Sequence, residues 1–198
     1  MSHVAVQETK PGEPQYADMQ ALQMACQMLG LEIEHTNKYH WYDRHMGDYP
    51  LPKGVKVSDL GHNAKFIIKL NAESAKKFGH GGHKPYEIGM MEDPNNPGCF
   101  TPIYDFYMGG YGLEGAVGKP LFNDAAQKSV KMLAPKLKQH YDMCCDALAA
   151  QAVGDKIEFL TAKDAHVKYP QIFPAETEDE RTWVSIVDTN NRINASLS

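Results

Sequence analysis

The chain has 198 residues, 42% of them hydrophobic, and a formal net charge of -5, which suits one compact domain with its own core. A mildly acidic chain has no general attraction for phosphate backbones, and the one lysine cluster, Lys128, Lys131, Lys136 and Lys138, reads as the solvated face of a helix. No apolar run reaches bilayer length and "MSHVAVQETKPGEP" lacks an apolar signal core, so a cytoplasmic protein without membrane or nucleic-acid partners is expected.

The start alternates and reads as a strand from His3 to Thr9, broken by Pro11, Gly12 and Pro14. Leu22, Ala25, Cys26 and Leu29 then recur at helical spacing, with Asp18 placed to cap the helix and Gly30 to end it. "LEIEH" and "AKFIIKL" (64–70) read as strands, separated by an aromatic stretch that carries Tyr39, Trp41, Tyr42 and Tyr49. Residues 71–85 are polar, lysine-rich and glycine-rich, and read as an exposed excursion. "YEIGMM" and "FTPIYDFYM" follow as strands around the turn-forming "EDPNNPG".

A long helix is expected over 123–153, capped by Asn123, with Pro135 imposing a kink or a later start. "KIEFL" and "TWVSIVDT" close the pattern as strands on either side of an acidic loop, 161–181. The sum is α+β, a single mainly antiparallel sheet with two packed helices in the order β-α-β-β-β-β-α-β-β. The expected unit is one domain over 1–198 with insertions at about 71–85 and 161–181. Cys26, Cys99, Cys144 and Cys145 contain no C-x-x-C pair, and a reducing compartment follows as the default.

Gly110-Tyr111-Gly112-Leu113-Glu114-Gly115 matches the dinucleotide-binding spacing G-x-G-x-x-G. A working fingerprint needs a helix opening at its last glycine within a βαβ unit. Here Gly118-Lys119-Pro120 follows, no helix is expected before about Asn123, and no βαβ unit surrounds the motif. The glycines therefore read as a tight bend after a tyrosine-rich strand.

Several segments in order resemble one family. "MSHVAVQETK" with "LQMACQMLGLEIE" is similar to the opening of the hypothetical chloroplast frame 35 family, also described as domain of unknown function 1257. "YEIGMM" is similar to its Tyr-Asp-Ile-Gly strand, with Glu87 in place of the aspartate. "FTPIYDFYMGGYGL" and "LKQHYDMCCDALAAQAVG" resemble a later strand and a later helix of the family. The resemblance implies a bacterial or bacteriophage-type member with no assigned chemistry. It implies an accessory role beside AAA-type ATPases or ferredoxin-like proteins.

Among residues that could carry chemistry, His80 and His83 flank two glycines and could chelate a divalent transition metal if the fold brought a third ligand, from His62, His40, His45 or Cys99. Solvated loop histidines are the plainer reading, and no cofactor is expected. Glu87 and Asp105 could meet across a hairpin as paired carboxylates. His3, Trp41, Tyr42, Tyr107 and Tyr111, with Glu87 and Asp105, are candidates for a ligand or partner surface; loop packing competes for the aromatic ones. The leading expectation is a non-enzymatic accessory protein that binds a protein partner or a small ligand and could self-associate. A metal-dependent or nucleotide-handling enzyme using the His80/His83 loop is the second reading, and a bacteriophage structural or assembly protein the third.

Overall fold

The structure is a computed structural model, and it describes residues 4–6, 16–44, 49, 51, 55–123, 130–172, 183–189 and 192–197. His3 and His45 lie outside the described residues. A short strand β1 (Val4–Val6) precedes helix α1 (Met19–Met28), strand β2 (Leu31–Glu34) and strand β3 (Phe66–Leu70). Next come α2 (Ala72–Phe78), β4 (Ile88–Glu92), β5 (Phe100–Asp105) and the one-turn α3 (Leu113–Val117). The chain continues through β6 (Leu121–Phe122), β7 (Val130–Met132), α4 (Pro135–Ala152), β8 (Lys156–Thr161), α5 (Ala162–Lys168), β9 (Trp183–Thr189) and β10 (Arg192–Leu197).

The expected α+β class holds, and the main sheet is antiparallel throughout, in the order β1-β5-β4-β3-β2. The expectation of one sheet with two helices is corrected: five helices are described, and smaller ladders β10-β9-β8 and β6-β7 stand beside the main sheet. Of the two outcomes expected at Pro135, a kink or a later start, the later start is found: α4 begins at Pro135, because Val130–Met132 is extended and proline at the first helical position supplies the φ a helix needs while lacking only an N–H that would be unbonded anyway. The polar 71–85 excursion contains α2. Asn71 accepts the Ser74 N–H at 2.8 Å, Glu73 lies in the first turn and Lys76 and Lys77 in the last, so a lysine-rich stretch carries every signal of a short helix. The loop expected over 161–181 likewise begins with α5, capped by Thr161. None of the described helices is long and apolar enough to cross a membrane.

Both faces of the main sheet are covered. On one, α1 and α4 bury Leu22, Cys26, Leu137 and Cys144 against Phe66, Ile68, Ile88, Met90 and Tyr104. The Tyr141 hydroxyl on α4 accepts the N–H groups of Ala17 and Asp18, at 2.8 and 2.9 Å, and so ties α4 to the start of α1. On the other face the aromatic stretch after β2 lies over the strands and packs Tyr39, Trp41, Leu60 and Ala64 against Val4, Ile67 and Ile103. Gly89 in β4 makes this approach workable: a Cβ there would stand 2.7 Å from the Tyr39 ring. Glycine inside a strand thus marks the place where an aromatic ring rests on backbone.

Candidate functional site

The site lies where β5 leaves the sheet and β4 enters it. Asp105 ends β5 and is fully buried, and its Oδ1 accepts the Tyr107 N–H at 3.0 Å. Beyond Phe106 the backbone coils in the left-handed sense through four successive residues. Their φ/ψ angles are 52/36° at Met108, 64/27° at Gly109, 58/29° at Gly110 and 50/40° at Tyr111. Gly112 follows at φ 114°, and a Cβ there would stand 2.4 Å from the Phe78 carbonyl oxygen, so the end of α2 is seated on the turn. Left-handed geometry costs glycine little, but each side-chain-bearing residue pays roughly 1–2 kcal/mol. Two of the four, Met108 and Tyr111, pay it.

The turn sets out a group of rings. Tyr111 lies 4.5 Å from the His83 ring, 5.8 Å from His80 and 5.1 Å from Tyr86, the last at right angles. Tyr86 in turn meets His40 edge-on at 5.4 Å, and its N–H donates to the Gly110 carbonyl at 2.9 Å, which pins the turn to the entrance of β4. Burial and then the neighbouring Asp105 push the Tyr86 phenol well above its ordinary range, so it stays protonated and acts as a hydrogen-bonding group. Tyr42 and Tyr107 stand 6.1 Å apart as a second ring pair. Met108 is 55% exposed and Tyr42 is 42% exposed. With the exposed His80 and His83 they make an apolar and imidazole surface around the turn.

Most of the surface candidates named from sequence therefore sit at one end of the sheet, with two differences of placement. Trp41 is buried in the second core, its indole packed where a side chain on Gly61 would clash, so only Tyr42 of that pair faces outward. Glu87 and Asp105 each hold a separate backbone N–H. Extending the ladder from the Gly89–Ile103 pair would set the two opposite each other, but Glu87 is drawn toward the aromatic stretch. Its N–H donates to the His40 carbonyl at 2.9 Å and its Oε2 accepts the His40 N–H at 2.7 Å, while Oε1 pairs with Lys84 at 2.7 Å. Among the described residues no three His, Cys, Asp or Glu side chains converge as metal ligands, and His80 and His83 share a tyrosine ring.

The helix expected no earlier than Asn123 is corrected too, since α3 opens at Leu113 directly after Gly112. A strand, glycines and a helix therefore do follow one another. The sheet is nevertheless antiparallel, five residues separate Asp105 from Tyr111, and α3 is a single turn, so the parallel βαβ frame of a dinucleotide site is missing from this segment. Met108, Tyr86 and Lys84 escaped the sequence reading. Met108 leaves no signal because nothing local marks a methionine as left-handed, and Tyr86 reads as an ordinary strand residue.

Beside the rings a depression of about 330 Å³ is lined by Glu34, Lys69, Lys38, His40, Glu87 and Lys84, among others. Most of its charges are matched: Lys69 pairs with Glu32 and Glu34, and Lys84 with Glu87. Comparison with protein-family models, with curated proteins and with solved structures finds no match.

Proposed function

We propose that the chain is a non-enzymatic binding module whose protein partner docks on the surface formed by the exposed Tyr42, Met108, His80 and His83 with the half-buried Tyr107 and Tyr111. The observation that carries this reading is the left-handed run at 108–111, which holds a methionine outward in a conformation suited to glycine. Strain persists where surrounding structure over-determines it, and it concentrates at sites that bind. Methionine and tyrosine are also the side chains that give contact surfaces adaptable apolar area. The nearby carboxylates support binding over acid–base work, because Glu87 is held by the His40 N–H and Lys84, and Asp105 by the Tyr107 N–H. The accessory role implied by resemblance to the chloroplast frame 35 family agrees with this reading, and its partner would then be an AAA-type ATPase or a ferredoxin-like protein. Free thiols at all four cysteines suit a reducing, cytoplasmic setting.

The test is affinity capture from the native host with three forms of the protein: the unaltered chain, Tyr42→Ala with Met108→Ser, and Val153→Ser. Val153 is 80% exposed and lies at the far end of α4, which makes it a control for loss of a surface apolar group. A partner retained by the control and lost by the double variant is expected. The same captured set from all three forms would refute the reading.

A further inference from the structure

The segment that wraps the left-handed turn has a charge opposite to that of the whole chain. From Lys76 to Lys84 it holds Lys76, Lys77, His80, His83 and Lys84 without one acidic residue, on a protein of net charge -5. Lys84 is spent on Glu87. Lys76 and Lys77 are exposed in the last turn of α2, and neither forms an ion pair with any described residue. Lys77 stands 5.7 Å over the Phe78 ring, and that ring lies against α3, where a Cβ on Gly115 would meet it at 2.7 Å. His80 and His83 rest on Tyr111. Two ammonium groups with no ion partner among the described residues thus stand in the last turn of α2, the helix whose end is seated on the turn that holds Met108 outward, and two imidazoles rest on that turn's Tyr111.

A partner seated here meets an apolar centre with a cationic flank. Charge complementarity at the rim of such a surface favours carboxylates on the partner, set beside an apolar residue that covers Met108. A nucleic acid fits less well, since two unpaired lysines are a short track for a phosphate backbone and the remaining chain repels it. We propose that the docking partner presents an acidic segment with an apolar anchor, the anchor on Met108 and the carboxylates toward Lys76, Lys77, His80 and His83. This rests on the binding surface proposed above and adds the chemistry of its occupant.

A suitable probe is a short fluorescein-labelled peptide of glutamates around a central leucine, followed by fluorescence anisotropy. The comparison probes are the same peptide with lysines in place of the glutamates, an all-glutamate peptide, and a short oligothymidylate. The glutamate–leucine peptide is expected to bind best, and to weaken about fivefold or more when ionic strength rises to about 0.15 M. Lys76→Gln with Lys77→Gln should weaken it similarly, and Met108→Ser should bring it down to the level of the all-glutamate peptide. Circular dichroism melts of both variants verify that the fold is kept. Equal binding of the lysine peptide, tighter binding of the oligothymidylate, no binding of the glutamate–leucine peptide, or indifference to the lysine substitutions overturns the proposal. The two readings fail separately. If the native partner is lost with Tyr42→Ala and Met108→Ser but kept with Lys76→Gln and Lys77→Gln, the surface stands and the acidic occupant falls.

Discussion

Met108 is the residue at which stability and binding pull apart. Glycine at this position would take φ 52° without a Cβ penalty, at the cost of extra freedom in the unfolded chain. Met108→Gly is therefore expected to leave thermal stability unchanged or raise it by up to about 1 kcal/mol, while partner capture falls. A large loss of stability would show that the methionine is there for packing. Glu114 offers a test by pH. It is half-buried beneath Gly109, and burial raises its carboxyl pKa, an effect that Lys119 partly offsets. A raised folded-state pKa means that this group's favourable contribution is full below the unfolded-state value, near 4.3, and is lost as pH rises through the folded value. Glu114→Gln should thus stabilise the protein at neutral pH by no more than about 1 kcal/mol after solvent screening, with the advantage vanishing in acid. Equal melting curves at both pH values would refute it. Burial also pushes the Cys26 and Cys144 thiols up to about 12. At pH 8 iodoacetamide should modify Cys99 well before either of these, as read by peptide mass spectrometry.

At the scale of elements, legibility followed the kind of signal each element carries. The first helix was readable because Asp18, the apolar stripe and Gly30 agree, and the structure has Asp18 accepting the Ala21 N–H. α2 was missed for a physical reason: its stabilising signals are a cap and end charges in a polar segment, and hydrophobic periodicity does not see those. Asn71→Ala removes that cap and should cost about 1 kcal/mol, read by denaturant melts, and should loosen the seat of the left-handed turn, since α2 ends against Gly112. The α4 start shows the opposite lesson. Its apolar stripe extends backward through Val130 and Pro135 signals the later start, whereas the pairing with β6 that keeps Val130–Met132 extended leaves no periodic signal. Tyr141→Phe tests how α4 holds α1. It leaves the Ala17 and Asp18 N–H groups without their protein acceptor, and a loss of about 1–2 kcal/mol is expected; no loss would mean that water replaces the hydroxyl without penalty.

For the whole molecule, class and pairing type were legible and the site's assembly was not. Alternating apolar residues and turn punctuation announce antiparallel strands wherever they occur. The convergence of Tyr42, His40, His83, Tyr86 and Tyr111 depends on the aromatic stretch folding over the sheet, on Gly89 leaving room for Tyr39, and on the left-handed turn pinned to Tyr86. Those are contacts between segments distant in sequence, and none leaves a local pattern.

The pairing of β1 has a consequence for how the chain reaches this state. Strands β2 to β5 join as successive neighbours, but Val4 pairs with Asp105 across almost the whole of the sheet-forming chain. That contact closes the longest loop in the main sheet, and it cannot form during synthesis until β5 has emerged. β1 should therefore be the last strand to dock and the first to detach, with amides that exchange faster than those of β4 in native-state hydrogen exchange. Because its partner residue Asp105 is the root of the left-handed turn, a fluctuation that lifts the amino-terminal strand would reach the binding surface at its base.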